Sequence, residues 1–126
     1  MAYNTKLADR IREYLAGFSK LNIEEKKMFR GLTFMINGKM CISVSNDNLM
    51  CRFDPVLQKE VAEKIGFQPM IMKGSELKGY CYVRPEGYKK MKDFEYWINL
   101  CLSFNAKAKA SKNRKATKSA LQKTTG

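Results

Sequence analysis

Four cysteines, Cys41, Cys51, Cys81 and Cys101, are the residues of this 126-residue chain best suited to bond-making chemistry. Thiolates attack disulfides, take up oxidants and ligate metal ions. Successive separations of 10, 30 and 20 residues contain no CxxC knuckle, the spacing that structural zinc and dithiol redox sites favour. Each cysteine lies in an apolar run, where a thiol behaves as a small buried hydrophobe. A zinc site built from four thiolates would require all of them to converge in space, and the expectation is no metal and no cofactor. The chain has no histidine. That removes Ser-His-Asp and Cys-His catalysis and any imidazole-ligated metal. Ser43, Ser45 and Ser75 therefore have no imidazole to activate them, and only Ser-Lys chemistry with Lys78 remains open. The close carboxylates, Glu24-Glu25 and Glu60/Glu63, read as solvated neighbours rather than two groups converging across a pocket. The chain is expected not to be an enzyme, with no catalytic residues.

Binding chemistry is better supported. Lys plus Arg number 24 against 12 Asp plus Glu, a net charge of +12. Every acid lies at or before Glu95, whereas Lys107, Lys109, Lys112, Arg114, Lys115, Lys118 and Lys123 follow with no acid among them. The segment 107–126, rich in Lys, Ala, Ser and Thr and without an aromatic, is expected to be a disordered basic tail behind one domain at 1–106. Such a tail attracts DNA or RNA by charge without reading bases. Neutralising about five to seven phosphates gives a salt slope of roughly −4 to −6 on duplex DNA. A second candidate is the interleaving of Tyr80, Tyr82 and Tyr88 with Lys78, Arg84, Lys89 and Lys90, because aromatics beside bases can stack on single strands. Tyrosines on a half-exposed strand produce the same pattern. Two other readings stay open: a small-anion-binding protein or an enzyme with a pocket between a sheet and the 66–79 loop, with Lys78 or Arg84 holding the ligand, and a dimerising domain using a sheet face or the last helix. A protein partner, and a monomer or a homodimer, are compatible with all of these. No run approaches the 18 apolar residues of a membrane span, and the N-terminus shows no apolar leader core. With four thiols, the cytoplasm is the expected compartment.

The elements that would position these residues follow from periodicity. Asn4 caps a helix over about 5–17, with Leu7, Ile11, Leu15 and Phe18 at helical spacing and Gly17 marking its end. Residues 19–25 read as a connector and Lys26–Phe29 as a short strand. Then LTFMI and KMCISVS flank Asn37-Gly38, the pair that best supplies the two positive-φ positions of a type I′ hairpin turn. Gly31 interrupts the apolar run before it, as at a bulge or corner. A further turn at 46–48 leads to LMCRF. Asp54-Pro55 opens a second helix reaching Gly66, with Leu57, Val61 and Ile65 as its stripe. Residues 66–79 read as a loop with a short extended piece at Met70–Met72, and GYCYVR as another strand. From Lys92, the residues Phe94, Trp97, Ile98, Cys101 and Leu102 trace a third helix. A block of strands bracketed by helices predicts an α+β domain: a single antiparallel sheet of about five strands with three helices packed on it.

The segments KKMFRGLTFMINGKMCISV, LMCRF, Pro69-Met70 and KGYCYV, with a Trp-bearing helix behind them, resemble the N-terminal domain of the TfoX/Sxy competence regulators and its stand-alone versions. The similarity spans about residues 4–106. It implies a secretion-chaperone-like α+β fold, with Phe29, Gly31, Asn37, Gly38, Met70 and Gly79 as structural motif positions. In full TfoX proteins a helix-hairpin-helix type domain follows and the protein regulates DNA-uptake genes. Here a basic segment stands where that domain would begin, so competence control itself is not carried over. The resemblance implies an accessory, transcription- or competence-related module. The family often has Phe-Gly-Gly where this chain has Phe29-Arg30-Gly31.

Overall fold

A computed structural model describes residues 3–28 and 31–108. Helix α1 spans Thr5–Leu15, and the Asn4 side chain accepts from the Leu7 amide at 3.0 Å. Strands β1 (Ile23–Met28), β2 (Gly31–Ile36), β3 (Lys39–Ser45) and β4 (Asn48–Arg52) form a meander. A 3-10 turn at Pro55–Leu57 runs into the short helix α2 (Gln58–Val61); β5 (Phe67–Met72), β6 (Ser75–Val83), a 3-10 turn at Pro85–Gly87 and α3 (Met91–Asn105) complete the order. The six strands make one antiparallel sheet in the order β1-β2-β3-β4-β6-β5. The α+β expectation holds, with one strand more than counted from the sequence.

The helices cover one face of the sheet. Ile11 and Leu15 of α1, and Phe94, Trp97, Ile98 and Cys101 of α3, pack on Phe34, Ile42, Val44, Leu49, Cys51, Cys81 and Val83. Burying such side chains stabilises by about 1.5–3 kcal/mol apiece. Among the described residues the opposite face carries no helix. There Met40, Met50 and Met70 bury themselves beneath Met35, Leu77, Tyr80 and Tyr82, and Thr33 and Ser43 share a buried hydroxyl hydrogen bond of 2.7 Å. Flexible thioethers can fill a surface that no second layer covers.

Two expectations are corrected and two are narrowed. The connector expected over 19–25 ends at Asn22, because β1 begins at Ile23 and pairs from there with β2. The loop expected over 66–79 is the β5–β6 hairpin, closed by Lys73 (φ 53°) and Gly74 (φ 81°), nearly the same geometry as Asn37 (φ 53°) and Gly38 (φ 80°). The second helix, expected to reach Gly66, ends at Val61. The backbone then turns, the Lys64 carbonyl accepting from the Phe67 amide at 3.2 Å, to set β5 beside β6. Ile65, assigned to the helical stripe, is consequently 73% exposed. Of the bulge or corner expected at Gly31, the corner is what is found, because the residue opens β2 opposite Met28, the last residue of β1. It is a point of close strand approach, because a Cβ there would lie 1.8 Å from the Val44 carbonyl oxygen. The register shift of that hairpin falls between Phe34 and Met35 instead.

Candidate functional site

The basic and aromatic residues that share one location gather where α3 ends and the chain enters its basic segment. Three local devices hold this corner. The Asn105 amide donates to the Ile36 carbonyl at 3.2 Å, fixing the end of α3 to β2. Lys39 Nζ donates to the Asn105 carbonyl at 2.6 Å, satisfying a C-terminal carbonyl that the helix leaves open. Lys107 Nζ lies 3.0 Å from Asp54 Oδ2, and the other Asp54 oxygen caps the Pro55–Leu57 turn through the Val56 amide at 3.1 Å. Hydrogen bonding to Val56 and then to Lys107 keeps the Asp54 carboxyl below its ordinary range.

Arg52, the last residue of β4, completes the corner. Its guanidinium carbon is 5.4 Å from the centre of the Phe104 ring and 5.9 Å from that of Tyr80, within reach of cation–π attraction. Tyr80 is the cross-strand partner of Arg52, and Tyr82 that of Met50. Lys39 is near enough to Arg52 for repulsion to lower its pKa, although burial contributes more. The corner thus joins Lys39, Arg52 and Lys107 to two half-buried rings. That combination suits a phosphate with an unstacked base better than a small neutral ligand.

The structure divides the residues singled out in the sequence. Tyr80, and Lys107 through its helix-end contact, belong to this corner. Tyr82 lies over the methionine cluster. Lys78 lines a groove of about 410 Å3 with Pro55, Gln58, Lys59 and Glu76, while Arg84 pairs with Glu86 at 3.3 Å. Lys78 and Arg84 thus have separate surroundings and do not converge on one anion. Gly79 is buried and its amide donates to Gln58 Oε1 at 2.9 Å. Gln58 Nε2 in turn donates to Glu76 at 2.8 Å, so this side chain anchors an irregular part of β6. Pro69 pairs with Cys81 and Ile71 with Glu76, so Met70 alone spans Leu77 to Tyr80. Lys109, Lys112, Arg114, Lys115, Lys118, Lys123 and Phe29 lie outside the described residues. Lys39, Arg52 and Phe104 were not singled out from the sequence; a lone arginine in the apolar run LMCRF was the available signal.

The cysteines do meet. Cys51 faces Cys81 across β4–β6, and the Cys101 thiol reaches Cys51 from α3. Cys41 lies close enough to Cys101 to interact with it. All four are buried free thiols. Burial, more than mutual contact, pushes Cys41 and Cys51 well above the ordinary thiol range, so they are weak nucleophiles. Among the described residues no group of three or more His, Cys, Asp or Glu side chains could hold a metal ion. No helix among them is long and apolar enough to cross a membrane.

Comparison with known proteins agrees with this architecture. No curated protein and no solved structure matches the chain significantly. The sequence profile of the TfoX N-terminal domain matches residues 13–105, from α1 through the whole sheet to the last residue of α3. The match covers most of the chain and every strand of the sheet, and the chain belongs to the TfoX N-terminal domain family.

Proposed function

We propose that this chain is a non-enzymatic regulatory module, related in role to competence regulators, that contacts a protein partner through its folded domain and nucleic acid through its basic segment. The observation that carries this reading is the run of seven bases from Lys107 to Lys123 with no acid among them. That run begins beside Lys39, Arg52, Tyr80 and Phe104. Charge of this kind binds polyanions by releasing their counterions and reads no sequence. The cytoplasm, where thiols stay reduced and nucleic acid is at hand, is the compartment this reading requires.

The test is binding of fluorescent single-stranded DNA, duplex DNA and RNA across a salt series. The full chain is compared with a full-length variant carrying glutamine at all seven basic positions from Lys107 onward. The expected result is a steep salt slope for the native chain, roughly −4 to −6 on duplex DNA for five to seven phosphates, and its collapse in the variant. Equal affinity and equal slope for both proteins would sink the proposal.

A further inference from the structure

The two edges of the sheet are built differently. On β5, the Arg84 amide donates to the Gly66 carbonyl at 2.9 Å. By antiparallel alternation, Phe67 and Pro69 then present their backbone outward. The Phe67 amide already donates to Lys64, and Pro69 has no N–H. That edge has little to offer another strand.

On β1, the Asn37 amide donates to the Asn22 carbonyl at 2.8 Å. The same alternation turns the backbone of Glu24 and Lys26 toward β2 and that of Ile23, Glu25 and Lys27 outward. No proline interrupts Ile23–Met28, and Glu24 through Lys27 are all exposed. Reversed about Glu25, the order Glu24-Glu25-Lys26 also sets opposite charges against each other. A two-fold axis normal to the sheet keeps the helix side on one side, so each residue faces one of like parity on the second copy. With the axis at Glu25, Glu24 faces Lys26 of the second copy, twice over, and Lys27 lays its stem along Ile23. The one like-charge pair, Glu25 against Glu25, is already neutralised. Each is gripped by its own Arg12, Nε to Oε2 at 2.7 Å and Nη2 to Oε1 at 2.8 Å.

We infer that β1 is the interface for a second copy of this chain, pairing antiparallel about Glu25 to extend the sheet from six to twelve strands. Edge charges normally deter strand addition. Here their order repels generic strands and accepts the chain's own reversed copy, which is specificity by charge pattern.

The test uses the full-length chain with two single variants, E24K and K26E. Sedimentation velocity at about 0.1 M salt, where exposed charges still interact over roughly 10 Å, should show the native protein dimerising. Each variant alone places like charges opposite one another twice and should weaken association on the order of tenfold or more. An equimolar mixture restores both opposite-charge pairs and should return the dimer as a heterodimer. A native chain that stays monomeric at high concentration overturns the inference. So does a variant that self-associates as well as native, and so does a mixture that fails to recover. Both positions are exposed, so matching thermal melts are expected. If one variant melts early, the full-length double change Glu24→Gln with Lys26→Gln repeats the test: the dimer should weaken, and an unchanged affinity rejects β1.

Discussion

Replacing Gly31 by alanine tests whether the glycine serves the sheet or a ligand. The added Cβ would lie 1.8 Å from the Val44 carbonyl oxygen and 2.9 Å from its carbon. An ordinary carbon–oxygen contact is about 3.3 Å, so β2 must withdraw from β3 by about 1.5 Å at this end. Ladder bonds near 2.9 Å do not survive such a shift. Losing two or three of them at about 1 kcal/mol each, and loosening Leu32 against Val44, costs about 3–4 kcal/mol. For a domain of this size that lowers Tm by about 12–16 °C. The control is Gly38→Ala, where nothing lies within 4 Å and only the left-handed backbone (φ +80°) opposes the change; it costs about 1–2 kcal/mol. Urea unfolding followed by circular dichroism gives both values, with the slope m checked for constancy. Gly31→Ala proving no worse than Gly38→Ala would refute the close-packing explanation. An unchanged stability accompanied by lost binding would move Gly31 from the sheet to a ligand site.

Further outcomes follow from single contacts. Gln58→Leu strands the buried Gly79 amide and should cost about 1–3 kcal/mol in urea titration. Tyr96→Phe should be neutral or stabilising, because the Tyr96 hydroxyl is buried with no hydrogen-bond partner among the described residues; a loss above about 1 kcal/mol would reveal an important contact at that oxygen. The Arg12 hydrogen bonds lower the Glu25 pKa in the folded state. This contribution is present above the unfolded carboxylate pKa and disappears as pH falls through the lower folded value. Arg12→Gln should therefore cost about 0.2–1 kcal/mol near neutrality and nothing once both states are protonated, read as Tm against pH. Native Cys41, Cys51, Cys81 and Cys101 should resist a thiol reagent at pH 8 and react fully in denaturant; fast labelling of any of them in the folded protein would contradict their burial.

The parts of the fold legible in the sequence are those whose signals are local. Asn37-Gly38 declares its turn because asparagine and glycine tolerate positive φ. Lys73-Gly74 makes the same turn, but lysine carries no such signal, and Pro69 within β5 argues against a strand until its place at the sheet edge is known. Helix α3 could be read from its apolar stripe. The extent of α2 could not, because its end is set by where β5 must begin, a tertiary demand that overrides the Leu57–Val61–Ile65 period. At the candidate site the charge run was visible along the chain, whereas Arg52 gained meaning only when β4–β6 pairing set it opposite Tyr80. Lys78 and Arg84, neighbours in the sequence pattern, parted because the extended chain from Gly79 to Val83 separates them, leaving Lys78 on a groove and Arg84 beside Glu86.

The strand order has a kinetic consequence. Four of the five strand contacts join sequence neighbours as hairpins, units that close in about 1–10 μs. Only β4 with β6 is non-local, bringing Cys51 to Cys81 at the entropic cost of closing the intervening loop. The chain can therefore assemble as two independent pieces, a β1–β4 meander and a β5–β6 arm. Their seam is the line along which Cys51, Cys81 and Cys101 meet, and its closure, the strand pairing with the longest intervening loop, is expected to be the slower step. In the folded chain those thiols are free and buried, so a disulfide formed among them before closure would tether the two pieces through a bond the finished core does not contain, and a reducing environment keeps that route open.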